Sequence, residues 1–282
     1  MINKFIRQNN MKTFEQEIKQ GQRFEFGKNW QSFLSSLTDE RIKIAENSIK
    51  EMLQVAHLKG KRVLDIGSGS GLFSLAARNL GAKVHSFDYD PASVACTKML
   101  RSRYFPGDPN WIVEKGSVLD GDFLSSVGSF DLIYSWGVLH HTGNMWAAIE
   151  NAASLAKKNN TLFIAIYNNQ DGRSRLWTKI KKFYCSGLLG RAITSTIFIP
   201  YFFSKTLISS VIRSRNEFAA YKKNRGMSIM HDWFDWLGGY PFEVATVEEI
   251  FNFLHPKGFE LKNIRNTNHS GTNQFVFVKE SD

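Results

Sequence analysis

The chain has 282 residues, 43% of them hydrophobic and 22% charged, with a net charge of +10. That length suits one large α/β domain or two small ones. Two cysteines, Cys96 and Cys185, exclude a disulfide framework or a cysteine-bound metal, so a reducing compartment is expected.

The opening residues, MINKFIRQNNMKTF, lack the apolar stretch of a signal peptide, and a cytoplasmic location is expected. Residues 13–58 read as helical, with Phe33, Ile42, Ala45, Ile49, Met52 and Leu53 near helical spacing. From Lys61 strands and helices alternate. RVLDIG is a short apolar strand closed by glycine, and LFSLAARNL is a helix ended by Gly81. KVHSFD is the next strand, and PASVACTKMLRSRYF is a helix with Pro91 just inside its start. WIVEKGSV, FDLIYSW and TLFIAIYN follow as strands, with MWAAIENAASLAKK as a helix before the last. This rhythm predicts a parallel sheet with helices on both faces. It breaks after Asn168 and resumes beyond Val244 with TVEEIFNFL, where Thr246 and Glu249 have capping-box spacing and Gly258 follows. FELKNIR and QFVFVKE close the chain. Their link is too short for a crossover helix, so an antiparallel pair is expected.

The chemistry is concentrated in VLDIGSGSGLFSLAARNLGAKVHSFDYD, residues 63–90. Gly67, Gly69 and Gly71 stand between a strand and a helix, where glycine permits a tight turn and close backbone approach to a ligand. A dinucleotide fingerprint reads G-x-G-x-x-G and leaves the helix N-terminus open to a pyrophosphate. This loop reads D-I-G-S-G-S-G, with the acid Asp65 inside the motif as a counter-charge for an ammonium group. Asp88 ends the next strand, placed for the two hydroxyls of a ribose, and Tyr89 offers a flat face to an adenine. A ligand with an amine, a ribose and an adenine but no phosphate is S-adenosylmethionine.

These residues resemble the class I S-adenosylmethionine-dependent methyltransferases, over about residues 61 to 168 and 245 to 280. The resemblance implies a Rossmann-like seven-stranded sheet of order 3-2-1-4-5-7-6 with the last strand antiparallel. It implies three parts: a helical cap at 1–58, a cofactor-binding core at 59–170 and 245–282, and a basic helical insertion at 171–244. It also implies an adenine-edge contact at Ser117 and Val118, with Asp120 as the nearby alternative. Ser135 and Trp136, in YSWGVLHH, are the implied lining at the reacting methyl. WQSFLSSLTDERIKI is similar to the N-terminal cap of ubiquinone-biosynthesis-type O-methyltransferases. By that likeness Trp30 faces the pocket and Arg41 is the partner of the cofactor carboxylate, which a guanidinium suits through two parallel hydrogen bonds.

Methyl transfer needs the acceptor aligned behind the methyl group, and a hydroxyl acceptor benefits from a base. His141, then His140, are the candidates, since both follow the fourth strand at the ligand-bearing end of the sheet. A second cluster, HDWFDWLGGYPFE, places His231, Asp232, Asp235, Tyr240 and Glu243 among aromatic residues that suit an aromatic or sugar acceptor. DWLGGYPFE is similar to a stretch in a bacterial branch of these enzymes associated with ubiquinone-type, glycan or lipid modification. No metal site is expected, because adjacent side chains such as His231 and Asp232 do not converge easily on one ion.

Between Arg173 and Arg225, 12 lysines and arginines face one acid, Glu217, leaving about +11 on that segment. Leu176, Trp177, Ile180, Phe183 and Tyr184 share one helical face, with Arg173, Arg175, Lys179, Lys181 and Lys182 around it. That is the composition of a helix on an anionic membrane surface, and peripheral contact through 173–215 is expected. A lid or a homodimer interface are the alternatives for the same surface. Ile193–Ile212 is apolar, but Pro200 and Lys205 interrupt it, so a membrane span is not expected. The expected activity is O-methylation of a small molecule: a phenol, quinone precursor, sugar or lipid-linked glycan. A nucleic-acid methyltransferase is one rival, although SWGVLHHT replaces the N/D-P-P-Y/F motif of base amino-methylation. A non-catalytic cofactor-binding protein is the other.

Overall fold

The computed structural model describes residues 13–35, 37–214, 216–217 and 229–281, without the side chains of Lys28, Asn29, Ser32, His231 and Asp232. Three helices come first: α1 (Phe14–Lys19), α2 (Gly27–Ser35) and α3 (Asp39–Leu53). The single helical region read from periodicity is therefore divided. Gly21 breaks it with φ +66°, and Thr38 restarts it by accepting the Arg41 N–H on its side chain.

The alternating region runs β1 (Arg62–Ile66), α4 (Leu72–Asn79), β2 (Lys83–Asp88), α5 (Pro91–Tyr104), β3 (Trp111–Lys115), α6 (Gly121–Val127), β4 (Leu132–Trp136), α7 (Met145–Ser154) and β5 (Thr161–Tyr167). A 3₁₀ turn at Leu139–His141 follows β4. Helix α6 has only seven residues and was not read from periodicity; its signal is Asp120, whose carboxylate accepts the Phe123 N–H as an N-cap. Then come α8 (Gly172–Cys185), α9 (Leu188–Ile212), α10 (Ile229–Gly238), α11 (Val247–Leu254), β6 (Phe259–Arg265) and β7 (Thr272–Lys279). Both bonds of the capping box that starts α11 are made, Glu249 N–H to Thr246 Oγ1 and Thr246 N–H to Glu249 Oε2.

The strands form one sheet in the order β3-β2-β1-β4-β5-β7-β6. β1 to β5 pair in parallel, whereas β7 runs antiparallel to both β5 and β6. Two apolar layers cover the sheet. Ile49, Leu75, Val84, Leu100 and Trp111 belong to one, and Leu64, Phe87, Ile133, Ile149 and Leu162 to the other. Each strand that is buried on both faces reads as a continuous apolar run, as parallel strands do. The crossovers bring Asp65, Asp88, Trp136 and Tyr167 to the same, carboxyl-terminal edge of the sheet.

A third cluster lies outside the sheet, where Tyr184, Cys185 and Leu237 bury against Trp177, Phe198, Phe202 and Tyr240. It joins α8, α9 and α10. The helix face read from α8 splits: Trp177, Ile180 and Tyr184 turn inward, while Leu176 and Phe183 stay exposed. Lys181 is also buried, at 1% exposure, so it does not belong with the surface charges of Lys179 and Lys182. Helix α9, 25 residues long with Pro200 inside it, is long and apolar enough to cross a membrane. Its inner side packs on Trp177 and Trp233 through Phe198 and Phe202.

Gly67 carries the sharpest local constraint. Its φ is +75°, and a methyl group there would stand 2.4 Å from Val138 Cγ1. Gly67→Ala is expected to cost about 1–3 kcal/mol in chemical denaturation, from strain and overpacking together. Gly121→Ala, in open space at the start of α6, is expected to be neutral or stabilising by up to about 1 kcal/mol. Equal effects at the two positions would contradict the loop geometry.

Candidate active site

β1 and β2 are parallel neighbours, with Asp65 one residue before the end of β1 and Asp88 at the end of β2. Asp65 is buried and accepts the Ser74 hydroxyl at 2.5 Å. Ser74 continues to Ser86 at 2.7 Å, and Trp111 Nε1 donates to Ser86 at 2.9 Å. This chain of hydroxyls fixes the Asp65 rotamer from below. Burial raises its pKa to about 7, and the negative charge of Asp88 adds to the rise. Asp88 accepts the N–H of Gly69 on Oδ2 and of Asp90 on Oδ1, both at 2.9 Å. Burial nevertheless brings it to about 6. Among the described residues neither acid has an ion pair, and the charge of Arg23 acts from a distance to lower Asp88.

The glycine loop lies against these acids. Gly67, Gly69 and Gly71 all have left-handed φ, which lets the chain turn from β1 into α4 within one tight bend. A methyl on Gly69 would meet Trp30 Nε1 at 3.2 Å, so the cap indole stands over the loop. Asp90 holds the cap there: its Oδ2 accepts the Gly27 N–H and its Oδ1 the Ala92 N–H, both at 2.8 Å. It starts α5 and anchors α2 with one carboxylate. The sequence signal was an aspartate immediately before Pro91, a cap pattern.

Arg23 is the second residue that the sequence did not single out. Its guanidinium donates to the carbonyls of His141 (2.9 Å) and Thr142 (3.3 Å) and pairs with Glu17. It also lies 5.1 Å from the Tyr89 ring centre. One face of Tyr89 is thus covered by Arg23, and Phe14 packs edge-on against the ring at 5.6 Å. No sequence spacing links Arg23 to these partners, because all lie on separate elements.

The remaining nominated residues separate into several environments. Ser117 Oγ accepts the Leu119 N–H, and the Val118 carbonyl accepts from Asn151 at 2.9 Å. Ser135 is fully buried and donates to the Ile66 carbonyl at 3.1 Å, tying β4 to the root of the glycine loop. Trp136 is 38% exposed and stacks on Phe73. Arg41 stands half-buried in the first turn of α3.

His140 and His141 meet an aromatic seam rather than open solvent. His140 is fully buried; its Nδ1 accepts the Tyr167 N–H at 3.3 Å, and its Nε2 has no hydrogen-bond partner. His141 Nδ1 donates to the Pro241 carbonyl at 2.6 Å, and its ring lies 5.0 Å from Phe26. Burial depresses the pKa of both, His141 to about 3, with Lys181 and Arg23 adding to the fall for His141. The seam continues through Tyr167, Trp236 and Phe242. Tyr240 and half-buried Asp235 come from the same insertion, Tyr240 receiving the Phe24 N–H on its carbonyl at 2.9 Å. Gly239 lets the backbone pass the His141 ring, where a methyl would come within 3.2 Å. Glu243 is taken by the fold: both carboxylate oxygens accept the Met145 N–H and so cap α7. The side chains of His231 and Asp232 lie outside the described residues. Among the described residues no three His, Cys, Asp or Glu side chains gather as a metal site.

A profile of the methyltransferase domain family matches residues 38–229. The ubiquinone biosynthesis O-methyltransferase of Xanthomonas campestris pv. campestris is 35% identical over 111 residues, covering 39% of this chain and 45% of that protein. The tRNA U34 carboxymethyltransferase of Methylococcus capsulatus is 39% identical over 88 residues, covering 31% and 26%. The chain thus spans less than half the length of these curated relatives. Among solved structures, magnesium protoporphyrin IX methyltransferase from Synechocystis PCC 6803 with bound SAH aligns with a TM-score of 0.52 at 15% identity, over 84% of this chain and 83% of that one. An O-methyltransferase family protein from Burkholderia thailandensis gives 0.52 at 11% identity, over 86% and 58%. At such identities the likeness is one of fold.

The raised pKa of Asp65 makes a stability prediction. Between its ordinary value and about 7 the folded chain holds a proton that the unfolded chain has lost. The acid therefore costs stability increasingly as pH rises through that window. Asp65→Asn is expected to melt higher than the parent at pH 8, with the difference shrinking towards pH 4. The buried histidines carry an opposite slope in both proteins and cancel in the difference. A melting difference independent of pH would contradict the assignment.

Proposed function

Because this chain belongs to the class I S-adenosylmethionine-dependent methyltransferase family, we propose that it methylates an oxygen of a small molecule: a phenol or quinone precursor, a sugar or a lipid-linked glycan. The observation that carries the reading is the pair of desolvated carboxylates without ion pairs beside a loop whose Gly67 has no room for a side chain. A cationic ligand with a ribose satisfies both: Asp88 accepts two sugar hydroxyls and Asp65 supplies counter-charge. S-adenosylmethionine supplies an electrophilic methyl group on a positively charged sulfur. Trp30 closes over the glycine loop and keeps water from it. Arg41 is proposed for the amino-acid carboxylate, and Ser117 and Val118 for the adenine edge, with the Val118 carbonyl already engaged by Asn151. The aromatic seam from Phe26 to Phe242 supports a flat acceptor next to the loop after β4.

The chain is proposed to be cytoplasmic and to touch an anionic membrane surface through α8 and α9. Leu189, Ile193, Ile197, Ile208 and Val211 are exposed along α9 at 42–73%. Arg173, Arg175, Lys179, Lys182 and Lys205 are exposed around them. Each apolar side chain buried in lipid contributes about 1.5–3 kcal/mol and each basic residue near the surface about 1 kcal/mol. Nucleic-acid methylation is the second reading, supported by the basic insertion and the likeness to a tRNA-modifying enzyme.

Asp88→Ala is expected to weaken S-adenosylmethionine binding at least tenfold in calorimetry, with melting temperature changed far less than affinity. Unchanged affinity would remove Asp88 from the ribose. Turnover is to be read as S-adenosylhomocysteine release over a panel of phenols, sugars and lipid-linked sugars, with RNA as competitor. Competition by RNA and no release with any small molecule would favour the second reading. For the membrane, vesicles containing phosphatidylserine are expected to sediment the chain at low salt. Lys179→Gln with Lys182→Gln is expected to reduce that several-fold. A chain that ignores vesicles and instead elutes as a dimer would assign the α9 face to a second copy.

A further inference from the structure

The carboxylate of Asp65 ends a hydrogen-bonded chain that begins two strands away in the sheet. Trp111, the first residue of β3, donates from Nε1 to Ser86 Oγ on β2 at 2.9 Å. Ser86 Oγ lies 2.7 Å from Ser74 Oγ on α4, and Ser74 donates to Asp65 Oδ2 at 2.5 Å. Trp111, Ser86 and Ser74 are each 0% exposed, so bulk water does not compete for these bonds.

The direction of the chain is fixed at its far end. An indole N–H donates and cannot accept, and each serine hydroxyl carries one hydrogen. Ser86 accepts from Trp111 and so gives its own hydrogen to Ser74, which gives its hydrogen to Asp65. Every hydrogen points towards Oδ2. A proton on Oδ2 would turn the Ser74 hydrogen back onto Ser86. The Ser86 hydrogen would then be buried without an acceptor, since Ser86 Oγ makes no other hydrogen bond among the described residues. That arrangement carries the desolvation penalty of an unpaired group.

Oδ1 is the contrasting oxygen. It accepts no hydrogen bond among the described residues, and it is not one of the enclosed oxygens left without a partner. Two titratable groups face the carboxylate. Asp88 on β2 opposes a second negative charge, and the Tyr134 hydroxyl on β4 is itself buried, partnerless and held protonated by burial. Asp90 and, from the cap, Arg23 act on Asp88.

We propose that Trp111 is a positioning residue for cofactor binding, acting through Ser86 and Ser74 to hold Asp65 Oδ2 as an acceptor and to present Oδ1 to the ammonium group of the cofactor. The inference rests on Asp65 as the counter-charge of S-adenosylmethionine and extends that role to three residues behind it. The chain favours the carboxylate over the acid and so works against the effect of burial. Cutting it at any link has one result. The remaining hydroxyls can turn, Asp65 takes a proton more readily, and the counter-charge is lost at neutral pH.

Trp111→Phe keeps a ring in the core and removes the N–H. It is expected to weaken S-adenosylmethionine binding about fivefold in calorimetry at pH 6.5, with the loss shrinking towards pH 8.5 as the carboxylate ionises in both proteins. Ser86→Ala is expected to give the same profile, and the double variant no further loss. A loss of one size at every pH, or losses that add in the double variant, would overturn the proposal, since a packing defect gives those results. The cofactor-free chain supplies a second readout by nuclear magnetic resonance of isotope-labelled tryptophan. The Trp111 indole signal, identified by its absence from Trp111→Phe, is expected to move with pH about a midpoint near 7. It should lose that movement in Asp65→Asn and in Ser86→Ala. Should Trp111→Phe not fold, this titration decides alone, the signal being the one that both other variants alter; a spectrum with no such signal would overturn the proposal. A parent chain that binds no S-adenosylmethionine would remove the cofactor reading together with this inference. Parental binding left unchanged by Trp111→Phe at every pH would overturn this inference alone.

Discussion

Asp65 and Asp88 stand at the carboxyl ends of adjacent parallel strands and are both desolvated. Their mutual repulsion and their burial both work against folding, and no basic side chain offsets the cost by direct pairing. The fold tolerates them because each is given hydrogen-bond donors: a serine chain under Asp65, two backbone N–H groups on Asp88. Those donors satisfy oxygen lone pairs without neutralising charge. What remains is a pair of desolvated acids beside a glycine loop that Val138, Trp30 and Thr97 pack against.

The cap and the insertion depend on each other as well as on the sheet. Gly21 and Gly238 mark their contact: a methyl on Gly21 would stand 2.3 Å from the Cys185 carbonyl, and one on Gly238 2.2 Å from the Phe24 ring. Arg23 reaches from the cap to the loop after β4, and Tyr240 receives the Phe24 N–H from the insertion side. Two segments separated by most of the chain thus close a single aromatic seam over the sheet edge. Dense packing of this kind transmits small displacements, so mutations in either segment are expected to be felt in the other.

Burial gives the seam its electrostatic character. The two histidines lose basicity because they are enclosed, and Lys181, beside the Trp236 and Phe242 rings, loses most of its preference for protons for the same reason. Lysine starts several units above histidine, which is why the same burial that silences His141 leaves Lys181 near neutrality.

The alternation of strands and helices, the glycine loop with its two acids, the capping box at Thr246 and the antiparallel ending were legible without coordinates. Each is a local pattern, set by side-chain period or by what a backbone turn permits. Periodicity could not divide residues 13–58 at Gly21, since one turn residue barely disturbs an apolar count, and it passed over α6, which is too short to show a period. It ranked His141 as a base from residue type and position, and it placed Lys181 on a charged surface because five basic residues surround that helix in sequence. Tertiary structure decided the division of the cap, the short helix and the burial of Lys181, along with Arg23 and Asp90 as the ties of the cap. Which face of α8 meets α10, and so which lysine loses its water, depends on contacts between residues far apart in the chain. Local pattern determines where a segment turns and what shape it takes; desolvation is a property of what comes to lie against it.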